Sequence, residues 1–394
     1  MISFDEALAL VTHAASPLGR ETVLLADAHR RTLAEPVIAM VDWPPADVSA
    51  MDGYAIRSGD SPPWRLVGES FPGTGFGHPV AQGECVRIFT GAPLPDGAGR
   101  VVIQEEVRRN GNHVELIAPE PSLGPAIHVR QRGSDFRAGD CLLASGARLT
   151  PQALVAAAGA DVAKVRIWRR PRVTILGTGD ELAAPGCARA HPGGIPESVS
   201  YGVGALVADW GGELLGRQRV RDEPALIRRA AGDAVAGSDL LVVTGGASVG
   251  DRDYAKTVLA ELGLEPIFSK VAIKPGKPVW FGRVGEKLVL GLPGNPTSAL
   301  VTARLLMAPL LAGLAGNDPA DAMRWQSAPL SQPIGPCGDR ETFHRARWKS
   351  GQVEPLANPD SGSQKVLAQA NLLIRHPADS PAMAAGESVE VLTF

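Results

Sequence analysis

Apolar positions along the chain change their period several times, and each change predicts a change of architecture. Ser3 and Glu6 have the spacing of a capping box, in which the serine hydroxyl and the glutamate each satisfy a free backbone N–H. The helix they open carries Leu8, Leu10 and Val11 as its apolar residues. From about Val41 to Asp140 the helical period gives way to short β-like runs broken by proline and glycine: Trp64-Arg-Leu-Val, Cys85-Val-Arg-Ile-Phe and Val101-Val-Ile-Gln. Asn110-Gly111, between Val107 and Val114, predicts a type I′ hairpin turn, because that pair tolerates positive φ. Thr150-Pro151 then supplies an N-cap and a first-turn proline for a second helix, alanine-rich through Ala160. The stretch from 41 to 140 therefore looks like a small β-rich domain inserted into something else.

From Pro171 strand and helix alternate. Val173-Thr-Ile-Leu, Asp239-Leu-Leu-Val-Val and Lys287-Leu-Val-Leu predict buried parallel strands, with covering helices near 199–210, 223–236, 253–263 and 296–313. This is an open α/β sheet, in which ligands bind beyond the carboxyl ends of the strands. After Asn317-Asp318-Pro319 the alternation stops, and Ser350-Gly351 with the terminal Val389-Glu-Val-Leu predicts a small β domain.

Composition sharpens this picture. Glycine (45) and proline (33) make up about a fifth of the 394 residues, well above average usage. With 44% hydrophobic residues, that excess means turns and loops rather than disorder. The net charge of −3 advertises neither nucleic-acid nor anionic-membrane binding, so any anion site must be local. Cys85, Cys141, Cys187 and Cys337 are scattered without a C-x-x-C, and the eight histidines show no H-x-x-x-H spacing, which argues against a zinc site or a disulfide frame. The acidic N-terminal start is unlike a signal peptide, and the longest apolar run, near Leu300, is interrupted by Arg304 and Pro309. A cytoplasmic protein is the expectation.

The chemistry lies in the loops. Gly177-Thr-Gly-Asp180-Glu181 follows a strand, so that backbone N–H groups and two acids meet at a loop tip, although the same string also fits an ordinary strand-to-helix turn. Thr244-Gly245-Gly246-Ala-Ser248-Val-Gly250 forms a backbone-rich anion cradle, with Asp253 at the start of the next helix. Asp222, after the strand near 213–220, is a third strand-end acid that by itself reads as a helix cap. If Glu181, Asp222 and Asp253 converge, each pair about 5 Å apart repels by roughly 3 kcal/mol at a dielectric near 20, which calls for protonation or a hard cation such as Mg²⁺. In Lys270-Val-Ala-Ile-Lys274-Pro-Gly-Lys277-Pro a stiff turn presents lysines to a compact anion. Each lysine about 4 Å from a dianion contributes roughly 8 kcal/mol of Coulomb energy before desolvation. Ser298 opens a helix after Gly291-Leu-Pro-Gly-Asn-Pro, while Arg340, Arg345 and Ser363 offer further oxyanion donors. Ser49-Ala-Met-Asp52-Gly-Tyr-Ala and Thr90-Gly-Ala-Pro are the informative strings of the inserted region.

Taken in order, these strings resemble the molybdopterin molybdotransferase family, the bacterial molybdenum-insertion enzymes, which are also similar to the E domain of gephyrin. The resemblance covers essentially the whole chain. It implies a multidomain α/β plus β fold: a discontinuous helical domain (1–40 and 141–170), an inserted β-rich domain (41–140), a central open α/β molybdopterin-binding domain (171–316) and a C-terminal β-barrel-like domain (317–394). It implies insertion of molybdate into adenylylated molybdopterin, with Mg²⁺-dependent loss of AMP. Carried over by motif, the functional acids are Asp52, Glu181, Asp222 and Asp253, with Thr90; Glu181, Asp222 and Asp253 would serve Mg²⁺. The loop glycines Gly245, Gly246 and Gly250 with Ser248 would bind the pterin substrate. Lys274, Lys277, Ser298, Arg340, Arg345 and Ser363 would form the oxyanion site, with Lys270 a further basic position.

The resemblance also implies an elongated homodimer whose cleft joins the α/β domain of one subunit to the inserted domain of the other. Contacts with the molybdopterin adenylyltransferase and with apo-molybdoenzymes are expected, and none with nucleic acid or membrane. The pterin dithiolene would supply the molybdenum ligands, in keeping with the missing Cys/His cluster. The chain departs from the family pattern at Glu197-Ser198-Val199, where Asp-Ser-Asn is usual, at Val48, usually Asn, and at Thr342, usually Glu. A non-catalytic pterin-binding or scaffold paralogue and an adenylyl transferase are the alternatives; the Lys274/Lys277 turn and Asp52 favour insertion.

Overall fold

Ser3 Oγ accepts the Glu6 N–H (3.1 Å) and Glu6 Oε2 accepts the Ser3 N–H (2.7 Å), so the capping box opens helix α1, Phe4–Ala14. The computed structural model describes residues 1–117, 127–190, 192–245, 254–356 and 362–394. Helix α1 buries Phe4, Ala7 and Val11, a single stripe at helical spacing, while Leu10 stands to one side of the stripe and is exposed. The chain divides into two compact units: Thr22–His29 with Glu35–Val165, and Met1–Glu21 with Arg30–Ala34 and Arg166–Phe394.

The first unit holds helix α2, Pro151–Gly159, capped by Thr150 Oγ1, which accepts the Ala153 N–H. It also holds a six-stranded sheet of β1 (Gly53–Ile56), β2 (Trp64–Ser70), β3 (Glu84–Ile88), β4 (Arg100–Ile103), β5 (Val107–Asn110) and β6 (His113–Leu116), in the order β4-β1-β3-β2-β6-β5. Strand alternation gives it two dry faces: Tyr54, Ile56, Cys85 and Val102 pack on one side, Ala55, Val86, Ile88 and Val101 on the other. In the β5–β6 hairpin Asn110 pairs with His113, so the turn residues are Gly111 and Asn112. Of those two only Gly111 has a positive φ (61°). The turn expected on Asn110-Gly111 is thus displaced by one residue and is not type I′, which needs positive φ at both positions.

The second unit is built on β7 (Arg172–Thr178), β8 (Glu213–Val220), β9 (Leu240–Thr244), β10 (Leu264–Phe268), β11 (Ile273–Lys274), β12 (Trp280–Val284) and β13 (Lys287–Leu292). The sheet order is β8-β7-β9-β13-β12-β10, with the first four strands parallel and β12 and β10 added antiparallel. Helices α3 (Val199–Asp209), α4 (Pro224–Gly237), α5 (Tyr254–Glu261) and α6 (Pro296–Leu314) cover it. Within β9, Leu240 and Val242 enter a core with α1, α3 and α6, and Leu241 and Val243 enter a second core with α4 and α5. Burial on both faces explains why this strand is apolar from Leu240 to Val243.

Helix α6 runs through Arg304 and Pro309, in line with the covering helix expected near 296–313. A π turn over Ala303–Met307 runs directly up to Pro309, widening the helix where the proline ring would crowd the carbonyl four residues earlier. Arg304 is buried, donating from Nε to Thr393 O (2.7 Å) and from Nη1 to Ala322 O (2.8 Å) beneath the Trp210 ring; burial pushes its pKa down to about 10. By length and composition alone α6 is long and apolar enough to cross a membrane, and nearly all of it is buried inside the protein.

The C-terminal strands β14 (Gln326–Pro329), β15 (Glu341–Lys349), β16 (Gln352–Pro355), β17 (Leu372–His376) and β18 (Ser388–Thr393) form a second sheet in the order β11-β15-β17-β18-β14, with β16 also on β15. A bridge from Leu330, just beyond β14, to Val353 in β16 brings the two edges together and gives the sheet its barrel-like curl. Ala346, Val353, Leu372, Ile374 and Val391 fill its interior. On the other face Phe343 meets Phe4 edge-on (centroids 5.0 Å apart), so α1 and β15 share one core. Full burial of such a ring is worth roughly 1.5–3 kcal/mol.

Candidate active site

The short strand β11 lies parallel to β15, pairing Ile273 with Glu341 and Lys274 with Thr342, and a backbone bond from Val271 N to Lys277 O (3.1 Å) closes the following turn. At its apex Gly276 (φ 115°) presses on α6 so closely that a Cβ would sit 2.2 Å from Thr302 Cγ2. Glycine is therefore required between the two prolines, and the turn is seated on a helix. This presents Lys274 and Lys277 to a cavity of about 530 Å³ that is also lined by Ser298, Arg340 and Arg345. Five of the residues expected at the oxyanion site thus share one cavity, and none of its described lining residues is a carboxylate. Arg345 is buried and donates from Nη1 to Thr297 Oγ1 (3.3 Å) and Ser363 O (3.2 Å), so Ser363 contributes through its carbonyl. Thr297 and Ser298 belong to the first turn of α6, where backbone N–H groups have no intrahelical acceptor. Lys270 does not line this cavity; its carbonyl accepts the Ile2 N–H.

A second, smaller cavity of about 190 Å³ opens at the carboxyl ends of β7 and β9, where the strand order reverses. Thr178, Glu181, Glu197, Thr244, Gly245, Gly294, Pro296 and Gln364 contribute to its lining. Gly245 (φ 86°) passes so close to β7 that a Cβ would sit 2.4 Å from Thr178 O, which draws the two strand ends together. No helix follows Glu181 directly. The chain pairs Leu182–Ala183 with Ile195–Pro196 before α3, so the acids are not first-turn helix residues. Asp180 Oδ1 accepts the Asp222 N–H (3.2 Å), which ties the ends of β7 and β8 and leaves Glu181 to face the cavity. Glu223, not Asp222, stands at the N-cap position of α4. Gly246, Ser248, Gly250 and Asp253 lie outside the described residues.

The donors around this cavity are oxygens, from the Glu181 carboxylate and the Thr178 and Thr244 hydroxyls, with Asp222 at the end of the neighbouring strand; such a set suits a small hard cation. Among the described residues no cluster of three or more His, Cys, Asp or Glu forms a metal site. The departures from the family pattern have structural partners. Glu197 accepts the Ser200 N–H (2.8 Å) and hydroxyl (2.6 Å), capping α3, and Val199 is buried in the main core. The Thr342 hydroxyl donates to Arg340 O (3.2 Å). Pro296 lines the smaller cavity and Thr297 and Ser298 the larger, so the first turn of α6 stands between them.

In the other unit the two informative strings are knitted together: Gly91 N donates to Ser49 O and Ser49 N to Ala92 O. This brings Asp52 Oδ1 within 2.7 Å of Thr90 N and 2.8 Å of Thr90 Oγ1. The Thr90 backbone N–H, then its hydroxyl, hold the Asp52 pKa below the usual carboxylate range. Thr297, Gln332 and His344 also line the larger cavity and were not anticipated. His344 is the most consequential, and its partner His376 is 32 residues away, so no local spacing pointed to the pair.

The chain matches the family models described as MoeA N-terminal region (domain I and II) over residues 2–160, probable molybdopterin binding domain over 174–313 and MoeA C-terminal region (domain IV) over 327–394. It is 32% identical to a molybdopterin molybdenumtransferase of Haemophilus influenzae, covering 100% of this chain and 99% of that protein. The corresponding protein of Bacillus subtilis is 30% identical, with 99% and 94% covered. Among solved structures, a molybdopterin biosynthesis MoeA protein from Pyrococcus horikoshii superimposes with a TM-score of 0.85 at 25% identity, covering 100% of both chains.

Proposed function

The chain belongs to the MoeA family, the molybdopterin molybdenumtransferases of molybdenum cofactor biosynthesis, and we propose that it inserts molybdate into adenylylated molybdopterin with release of AMP. The observation that carries this reading is the pair of cavities on either side of the first turn of α6, one lined by cations and the other faced by Glu181. Molybdate, a compact dianionic substrate, would be held by Lys274, Lys277, Arg340 and Arg345, with Ser298 as a neutral donor. Arg345 is anchored through Thr297 and Ser363, so its fork is oriented before a ligand arrives. The phosphoanhydride of the pterin substrate would lie against Gly245 and the loop that follows it.

Glu181 and Asp222, with Asp253 as the third acid, would hold Mg²⁺, which when bound neutralises charge on the phosphoanhydride oxygens. The protein residues bind, orient and stabilise charge, and none forms a covalent intermediate. Asp52 and Thr90 enter as functional residues by motif, and the protein acts as a homodimer. The direct test mixes purified protein with adenylylated molybdopterin, molybdate and Mg²⁺, measuring AMP release and reconstitution of an apo-molybdoenzyme. AMP release that depends on molybdate is expected; release no faster than in buffer would overturn the reading.

A further inference from the structure

His344 lines the larger cavity but has no part in the function proposed above. It lies on β15 opposite Ile374, and His376 lies two residues along at the end of the neighbouring β17, so the two rings meet on one face of the sheet. His344 Nε2 is 3.2 Å from His376 Nδ1, and His376 Nε2 is 3.2 Å from Pro381 O. The bonding order follows from the last acceptor. A carbonyl accepts only from an N–H, so His376 carries its proton on Nε2 and offers a bare Nδ1. His344 must then donate from Nε2. The remaining ring nitrogen, His344 Nδ1, is a lone pair with no hydrogen bond among the described residues. His376 is fully buried and so holds the His344 ring in place.

We propose that this lone pair makes the cavity a proton-coupled anion site: when a dianion enters, His344 Nδ1 takes up one proton from solvent and becomes a further charged donor to the anion. One N–H bond forms, the proton comes from water or buffer, and nothing is oxidised or reduced. The charged and titratable groups that surround His344 among the described residues are His376 on β17, Lys274 and Lys277 on the turn, Arg340 ahead of β15 and Arg345 on it, and none of the described lining residues is a carboxylate. Burial, then His376 and Lys274, push the His344 pKa down to about 4, so the ring is neutral near pH 7. A dianion beside it brings two charges of the opposite sign, and the protonated form becomes the favoured one.

The inference rests on the cavity being an oxyanion site, and its test separates the two ideas. Sulfate, which stays dianionic throughout the range, and molybdate are titrated calorimetrically into the intact protein at about pH 7, in Tris and in HEPES, whose ionisation enthalpies differ. The wild type should take up between half a proton and one proton per sulfate bound, with affinity falling by up to about tenfold per pH unit from roughly pH 6 to 8. H344Q, which keeps a polar side chain of similar size but cannot take up a proton, should bind more weakly, without uptake and with a flat pH profile. Binding of sulfate to the wild type with no proton uptake, or undiminished uptake in H344Q, would overturn the proposal while leaving the anion site intact. No binding of either anion would overturn both.

Discussion

Replacing Lys274 and Lys277 together by alanine is expected to lower molybdate-dependent AMP release by roughly 10³-fold, with most of the loss in the molybdate concentration needed for half-maximal rate. The two side chains are exposed at the cavity and make no ion pair among the described residues, whereas the turn itself is kept by β11–β15 pairing and by Gly276 against Thr302. The thermal midpoint should therefore stay within a few degrees of the wild type. Kinetics over a range of molybdate concentrations separate the possibilities. A large rise in that half-saturating concentration supports the assignment of the larger cavity; an unchanged one would remove the lysine turn from molybdate binding.

Asp52→Asn should reduce turnover by about 10² to 10³-fold with the fold intact. The substitution is chosen because an amide oxygen can still accept from Thr90 N and Thr90 Oγ1, so the contact between the two strings survives while the charge is lost. Because the Thr90 bonds lower the Asp52 pKa, the carboxylate is ionised above the usual carboxylate range, and its contribution is lost only on acidification below that range. The ratio of wild-type to variant rates should then be flat from about pH 6 to 9. A near wild-type rate in the variant, or a ratio that titrates near neutrality, would exclude a role for the charge.

The parts of this site that were legible in the sequence are those whose local chemistry is self-contained. A lysine turn stiffened by prolines and glycine signals its own geometry, and glycine-rich loops after apolar strands locate a sheet's ligand edge. Long-range juxtaposition was harder to read. His344 and His376 meet only through the β15–β17 register, and Thr297 reaches Arg345 only because α6 starts beside the C-terminal sheet. Lys270 is near the turn in sequence yet outside the cavity in space, because its backbone is engaged with the N-terminal residues at Ile2. Asp222 looked like a helix cap because it precedes α4 closely, but the polar bond in question runs from its own N–H to Asp180.

The same distinction applies to the fold. Alternating strands and helices could be placed because burial on both faces leaves an apolar run. The helix near 296–313 could be placed as well, but what lets it pass a buried arginine and a proline could not: the Thr393 and Ala322 carbonyls and the π turn appear only in the structure. At Glu197-Ser198-Val199 the departure from the family pattern gains a helix cap and a core side chain, so the loop is ordered by its own residues.

Molybdate held in the cation-lined cavity between α6 and the C-terminal sheet should be visible there by its own scattering. Crystals of the protein soaked with molybdate, with diffraction data collected above and below the molybdenum absorption edge, test this most directly. An anomalous peak is expected within hydrogen-bonding distance of Lys274, Lys277, Ser298 and Arg345. A molybdenum peak elsewhere in the molecule, and none in this cavity, would show that molybdate is held at another site.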